Sequence, residues 1–380
     1  MSIYFLFKHE TAAFLEVPII IKVDYYRVMK FRCRFLLCVF FFLLPLAVFA
    51  GGRTVRTAII PNNDPLSEAE KSDNASWSET AAESWGGDAG TEQASALSSL
   101  GAPMEGPGRQ SRAEAVMRAI AKAYPDRAGE VEFIDGDWTI EVYGERFYFA
   151  EGRMLPLSLR NLASEYDPQP FYNYLEELPP WEAPSEEESA RMKAQDAARR
   201  ERPSKRSSSF FDTLWRTHDK DESWEHVKQI RLFGHTVMVH YSILEKLSLA
   251  EEQILRIAKT NAQVRQWISS LNSIEGWNWR DIASTQSRSF HAYGAAIDFM
   301  PKSLGGLETY WLWTSRSSPE WWAVPYSKRF HPPAEVIKAF ESFGFIWGGK
   351  WRYYDTMHFE YRPEILELSE IPVMDLRNLR

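Results

Sequence analysis

Cysteine is almost missing from this 380-residue chain. There are two, Cys33 and Cys38, both inside an apolar stretch near the N-terminus. If that stretch is removed from the mature protein, no thiol remains, and neither disulfides nor cysteine-ligated zinc can hold the fold. An excess of basic charge is also lacking. The formal charge is -8, and since the first fifty residues hold six Lys/Arg against three Asp/Glu, the remainder stands at -11. Such a balance argues against nucleic acid as a partner. Nor is there a long unbroken apolar run. About fifteen apolar residues interrupted by Pro45 fall short of the roughly 20 that span a bilayer, so no stable membrane insertion is expected once they are cleaved off.

What is present suits a two-part exported protein. At 380 residues the chain exceeds what one core usually organises, and 44% hydrophobic with 14% aromatic residues is ample core material. Met29-Lys30-Phe31-Arg32-Cys33-Arg34 forms a positive segment, residues 35–46 an apolar one, and Val48-Phe49-Ala50 a small-residue cleavage site before Gly51. Translation from Met29 and cleavage after Ala50 are expected, making residues 1–50 a mis-started N-terminus plus signal peptide and the protein periplasmic or extracellular. Residues 51–110 turn to Ser, Ala, Gly, Glu and Pro, too poor in large apolar groups to offset chain entropy, and read as a disordered tether.

Folding resumes at Ser111-Arg112-Ala113-Glu114, an N-cap signature before the stripe Ala115, Val116, Ile120, Ala121 and Ala123. Strand-like runs at 130–134, 138–142 and 146–150 follow, the first two separated by Asp135-Gly136-Asp137. Residues 111–180 thus read as a small α+β domain with no chemistry of its own, suited to binding, spacing or covering an edge of the next domain. Residues 181–225 read as a polar linker containing a solvated helical run, and 226–380 as the main domain. There the 230–239 stretch reads as a hairpin around Gly234-His235. Ser248-Leu249-Ala250-Glu251 caps a helix whose apolar positions from Ile254 to Leu271 keep helical spacing over about six turns. Pro332-Pro333-Ala334-Glu335 opens a shorter helix ended by Gly344. The rings of Tyr310, Trp311, Trp313, Trp321, Trp322 and Tyr326 are read first as core, and second as the wall of a groove for a glycan or peptide.

Two stretches carry the chemistry. One is Ser289-Phe290-His291-Ala292-Tyr293-Gly294-Ala295-Ala296-Ile297-Asp298, the other Asp355-Thr356-Met357-His358-Phe359-Glu360. A hydrolytic zinc takes three nitrogen or carboxylate ligands and keeps a position for water. His291 and Asp298 are too far apart for one helix face, so the chain must fold back between them, and Gly294 permits that turn. Strand alternation then puts Asp298 on one face, and His358 with Glu360 on another polar face, so that His291, Asp298 and His358 share one side of a sheet as ligands of a single Zn2+. Asp355, three residues before His358, is placed to take a proton from zinc-bound water as it attacks a carbonyl and to return it to the leaving amine. Five other histidines, His218, His226, His235, His240 and His331, are read as structural.

These residues resemble a known family. Ser-x-His-x-x-Gly-x-Ala-x-Asp followed by Asp-x-x-His-Phe-Glu is similar to the zinc D-Ala-D-Ala carboxypeptidases of the VanY type and, through its Asp-x-x-His, to the L-alanyl-D-glutamate endopeptidases of cell-wall hydrolases. The resemblance covers about residues 226–370. It implies an α+β fold with a central antiparallel sheet and packed helices, one zinc ion, and peptidoglycan stem peptides as substrate. Carried across, His291, Asp298 and His358 match the ligands, Asp355 the base, and Ser289 a serine that braces the site, with Glu360 beside the ligand. An arginine that polarises the substrate carbonyl or binds its carboxylate is matched best by Arg280, with Arg288 the alternative. The same scaffold occurs in hedgehog-type signalling domains, so a non-catalytic zinc-bearing module that binds cell wall or protein is the competing class.

Overall fold

The computed structural model describes residues 111–375; the 29–50 leader pattern and the 51–110 tether lie outside the described residues. Ser111 caps the first helix as its pattern predicts, its hydroxyl accepting from the Glu114 N–H, and helix α1 (Arg112–Ala123) buries Val116, Met117 and Ile120. An antiparallel meander follows: β1 (Ala128–Ile134), β2 (Asp137–Val142), β3 (Glu145–Tyr148) and β4 (Leu155–Pro156), in spatial order 1-2-3-4. Asp135 and Gly136 both take positive φ, as a two-residue hairpin turn requires.

The central sheet is also four-stranded and antiparallel, and it belongs to the α+β architecture expected. Its order is β7 (Leu271–Glu275), β8 (Ala296–Pro301), β10 (His358–Tyr361), β9 (Phe345–Trp347). A separate hairpin, β5 (Val227–Leu232) and β6 (His235–His240), turns at Phe233-Gly234. Helices α2 (Glu186–Glu201), α3 (Ser209–Trp215), α4 (Lys220–His226), α5 (Leu244–Ala258), α6 (Ala262–Ser270), α7 (Trp311–Ser317), α8 (Ala334–Ser342) and α9 (Pro363–Leu368) surround these sheets. Helix α8 covers one face of the central sheet: Phe340 meets Phe359, Phe299 and Phe345 at ring separations of 4.8, 5.4 and 5.7 Å. The opposite face is left for polar residues.

Three expectations need correction. The six-turn helix is two helices. Asn261 interrupts it, its side chain accepting from the N–H groups of Gln263 and Val264 and so starting α6 afresh, while Leu271 opens β7 and Ser248 lies inside α5 rather than capping it. An Asn that can satisfy two free amides competes with helix continuation. The stretch 181–225 is not simply a polar linker, because every residue from Phe210 to Trp215 in α3 is buried. Finally, residues 111–180 have no core of their own. Val116, Ile120, Phe147 and Tyr174 join Phe211, Val239 and Phe359 in one continuous hydrophobic cluster. The Tyr174 hydroxyl donates to Glu341 at 2.5 Å and accepts from the Trp347 N–H at 2.9 Å, so this segment covers the outer edge of β9.

Three of the six rings in the aromatic insertion follow its first reading, while Trp313 and Trp322 are half-buried and Tyr326 lies outside the cluster. Tyr310, Trp311 and Trp321 form a second buried cluster with Tyr353, Tyr354 and, from α2, Met192.

Candidate metal centre

The site begins as a register. Strands β8 and β10 pair so that His358 lies opposite Asp298 and Phe359 opposite Ile297. Cross-strand partners point to the same face, so one imidazole and one carboxylate stand side by side while their apolar neighbours enter the core under α8. His291 arrives from the turn before β8. That turn is pinned by the His240 N–H donating to the Gly294 carbonyl at 2.8 Å and by the Asn278 N–H donating to the His291 carbonyl at 3.1 Å. Gly294 sits at φ +66°, and a Cβ there would stand 2.7 Å from the His240 nitrogen, so both conformation and space demand glycine. Ser289 braces the same turn by accepting the His291 N–H at 3.3 Å.

The three side chains converge. The ligand-capable atoms of His291, Asp298 and His358 all lie within 4.8 Å of one another. Each histidine has one nitrogen committed elsewhere. His291 Nδ1 donates to the Gly276 carbonyl at 2.6 Å and His358 Nε2 to Glu360 at 3.2 Å. This leaves His291 Nε2 and His358 Nδ1 facing inward, 3.2 Å apart and each 2.9 Å from an oxygen of Asp298. Tetrahedral ligation with arms of about 2.0–2.2 Å places donors roughly 3.3–3.6 Å apart, so a cation fits with a small outward adjustment. The outer partners fix the tautomers that ligation needs.

Electrostatics follow from dryness. Asp298 is 2% exposed and His291 also 2%. Burial opposes ionisation of Asp298, yet the two imidazoles outweigh it and hold its carboxyl well below the usual range. Burial pushes His291 down. Burial also acts to lower His358, but the Asp298 and Glu360 carboxylates prevail and raise it to about 10. Two acids thus hold a positive charge on His358 that a bound cation would replace. Asp355 is raised to about 7, first by burial and then by Asp298. Its Oδ1 is buried with no hydrogen-bond partner, an unsatisfied acceptor of the kind a water beside a cation would fill.

The structure separates the two candidate arginines. Arg288 is bound to Asp212 at 3.0 Å and stacks 4.2 Å over Trp279. Arg280 lies within electrostatic reach of Asp298 and Asp355, and its Nε has no partner. Behind the ligands runs a chain the sequence reading reached only as far as Glu360. Glu360 joins His358 to Arg362 at 3.2 Å on each side, Arg362 binds Glu364, and Glu364 accepts from the Tyr124 hydroxyl at 2.8 Å. Arg362 extends the alternation 358, 360, 362, and that period was the available signal. Glu275, cross-strand from Asp298, had none.

Residues 283–361, spanning both motifs, match a family described as D-alanyl-D-alanine carboxypeptidase. Residues 116–171 match a family described only as a domain of unknown function. No curated protein and no solved structure matches the chain.

Proposed function

We propose that this chain is an exported zinc metallopeptidase that hydrolyses peptide bonds in peptidoglycan stem peptides, as a D-Ala-D-Ala carboxypeptidase or an L-Ala-D-Glu endopeptidase. The observation that carries this reading is the convergence of His291, Asp298 and His358 beside the unsatisfied Oδ1 of Asp355. The peptidase family match over 283–361 supports the same chemistry. Ligation by His291 Nε2, Asp298 and His358 Nδ1 suits zinc, which when bound supplies Lewis acidity and makes water nucleophilic at neutral pH.

The chain's own groups do the rest. Asp355 accepts the proton of the attacking water and returns it to the leaving amine, a role suited to a buried carboxyl beside the cation. Arg280 is the cation available to the developing oxyanion, Arg288 being engaged by Asp212. Export is part of the proposal and rests on the leader pattern at 29–50; a purified protein whose first residue lies upstream of Gly51 would contradict it.

Turnover of defined muropeptides tests the reading. Holo protein should release product identifiable by mass spectrometry, and Asp355→Ala should keep its zinc and lose about 10²–10⁴-fold in rate. Equal product from both would refute the role of Asp355. Zinc bound without cleavage by either would favour the non-catalytic binding module.

A further inference from the structure

Two cavities, of about 330 and 470 Å³, share Leu178, Tyr326, Arg329, Gly349 and Lys350 in their linings and so form one groove. One wall is the segment Leu178-Pro179-Pro180-Trp181-Glu182-Ala183-Pro184, whose three prolines fix the backbone and remove donors from it. Trp181 on this wall is 38% exposed. Trp322 lines the groove as well, held edge-on against the buried Trp321 at 5.5 Å. The groove reaches Trp351, whose ring also lies 5.4 Å from that of His358.

We propose that this groove binds the glycan strand of peptidoglycan, so that the preferred substrates are stem peptides still joined to sugar. The inference rests on the stem-peptide reading above. A pyranose offers an apolar C–H face for an indole and a rim of hydroxyl and acetamido oxygens, which matches the exposed ring of Trp181, the half-buried ring of Trp322, and charged edges at Glu182 and Arg352. A rigid proline wall also limits the ordering cost of binding.

The test compares two substrates and adds one binding measurement. With holo protein, Trp181→Ala and Trp322→Ala should each raise KM for disaccharide-linked stem peptides about three- to tenfold, the worth of one aromatic contact, while leaving sugar-free stem peptides unaffected. Trp322→Phe should lie between wild type and Trp322→Ala, since it keeps a smaller ring. An equal rise for both substrates, or no rise for either, overturns the proposal. If the wild type cleaves neither substrate, the peptidase reading fails by itself, and the groove is then judged by titrating peptide-free strands of alternating N-acetylglucosamine and N-acetylmuramic acid into Asp355→Asn protein. A tryptophan-fluorescence change that Trp181→Ala weakens supports the groove, and no binding overturns it.

Discussion

Glu130-Val131-Glu132-Phe133 in the meander and His358-Phe359-Glu360-Tyr361 in the central sheet share one alternation of polar and apolar residues, and both lie in four-stranded antiparallel sheets. In the first, Glu130 and Glu132 face solvent; in the second, all four residues are buried. The two charge clusters are built alike. Arg146 bridges Glu132 and Glu141 at 2.6 Å each, and Glu360 bridges His358 and Arg362 at 3.2 Å each. What differs is water. A solvated cluster contributes little, because water serves the ions nearly as well. A dry one persists only if its members are paired, and Asp355 Oδ1 and Arg280 Nε are among the buried atoms of the described residues left without partners.

That contrast can be broken in four ways. The largest effect is expected from Arg362→Ala, which strands Glu360 and Glu364 in a dry interior: urea denaturation should show a loss of about 3–5 kcal/mol. A loss below about 1 kcal/mol would mean that water reaches the network.

Asp355→Asn in chelator-treated protein comes next. The folded carboxyl is raised to about 7, so the folded state holds a proton that the unfolded chain releases near the ordinary carboxylate range. The stability this confers is complete in acid and is lost as pH climbs through 7. The melting temperature of the variant should therefore gain on wild type between pH 4 and pH 8, by several degrees. A gap that does not change with pH would show that Asp355 is not buried as an acid.

Glu360→Gln removes the charge behind His358 and should weaken metal binding by about 10–100-fold in competition with a chelator. An unchanged affinity would reduce Glu360 to a packing role. The smallest effect belongs to the solvated counterpart: Arg146→Ala should cost less than about 1 kcal/mol and vanish into the noise in high salt.

Much of the central site was legible because its information is local. A histidine three residues after an acid, alternation along a strand, and a glycine where the chain must double back are all set by bond geometry, and β8, β10 and the Gly294 turn follow them. The interruption at Asn261 was not legible from apolar spacing, which continues through it; one side chain capping two amides decided the break. The seven residues of α3 are too few for a period to declare itself, so burial of six of them, Phe210 to Trp215, could not be read from the chain alone.

By itself the sequence determined which residue types alternate on which strands and which two segments hold the side chains that could ligate a metal, since those are matters of near-neighbour stereochemistry. Only the tertiary structure decided that Arg288 pairs with Asp212 while Arg280 lies within electrostatic reach of Asp298 and Asp355, that Arg362 and Tyr124 stand behind Glu360, and that one alternating strand is dry while its counterpart is wet. Those outcomes depend on which distant surfaces exclude water from one another, and the cost of an unpaired charge is set by that exclusion rather than by its place in the chain.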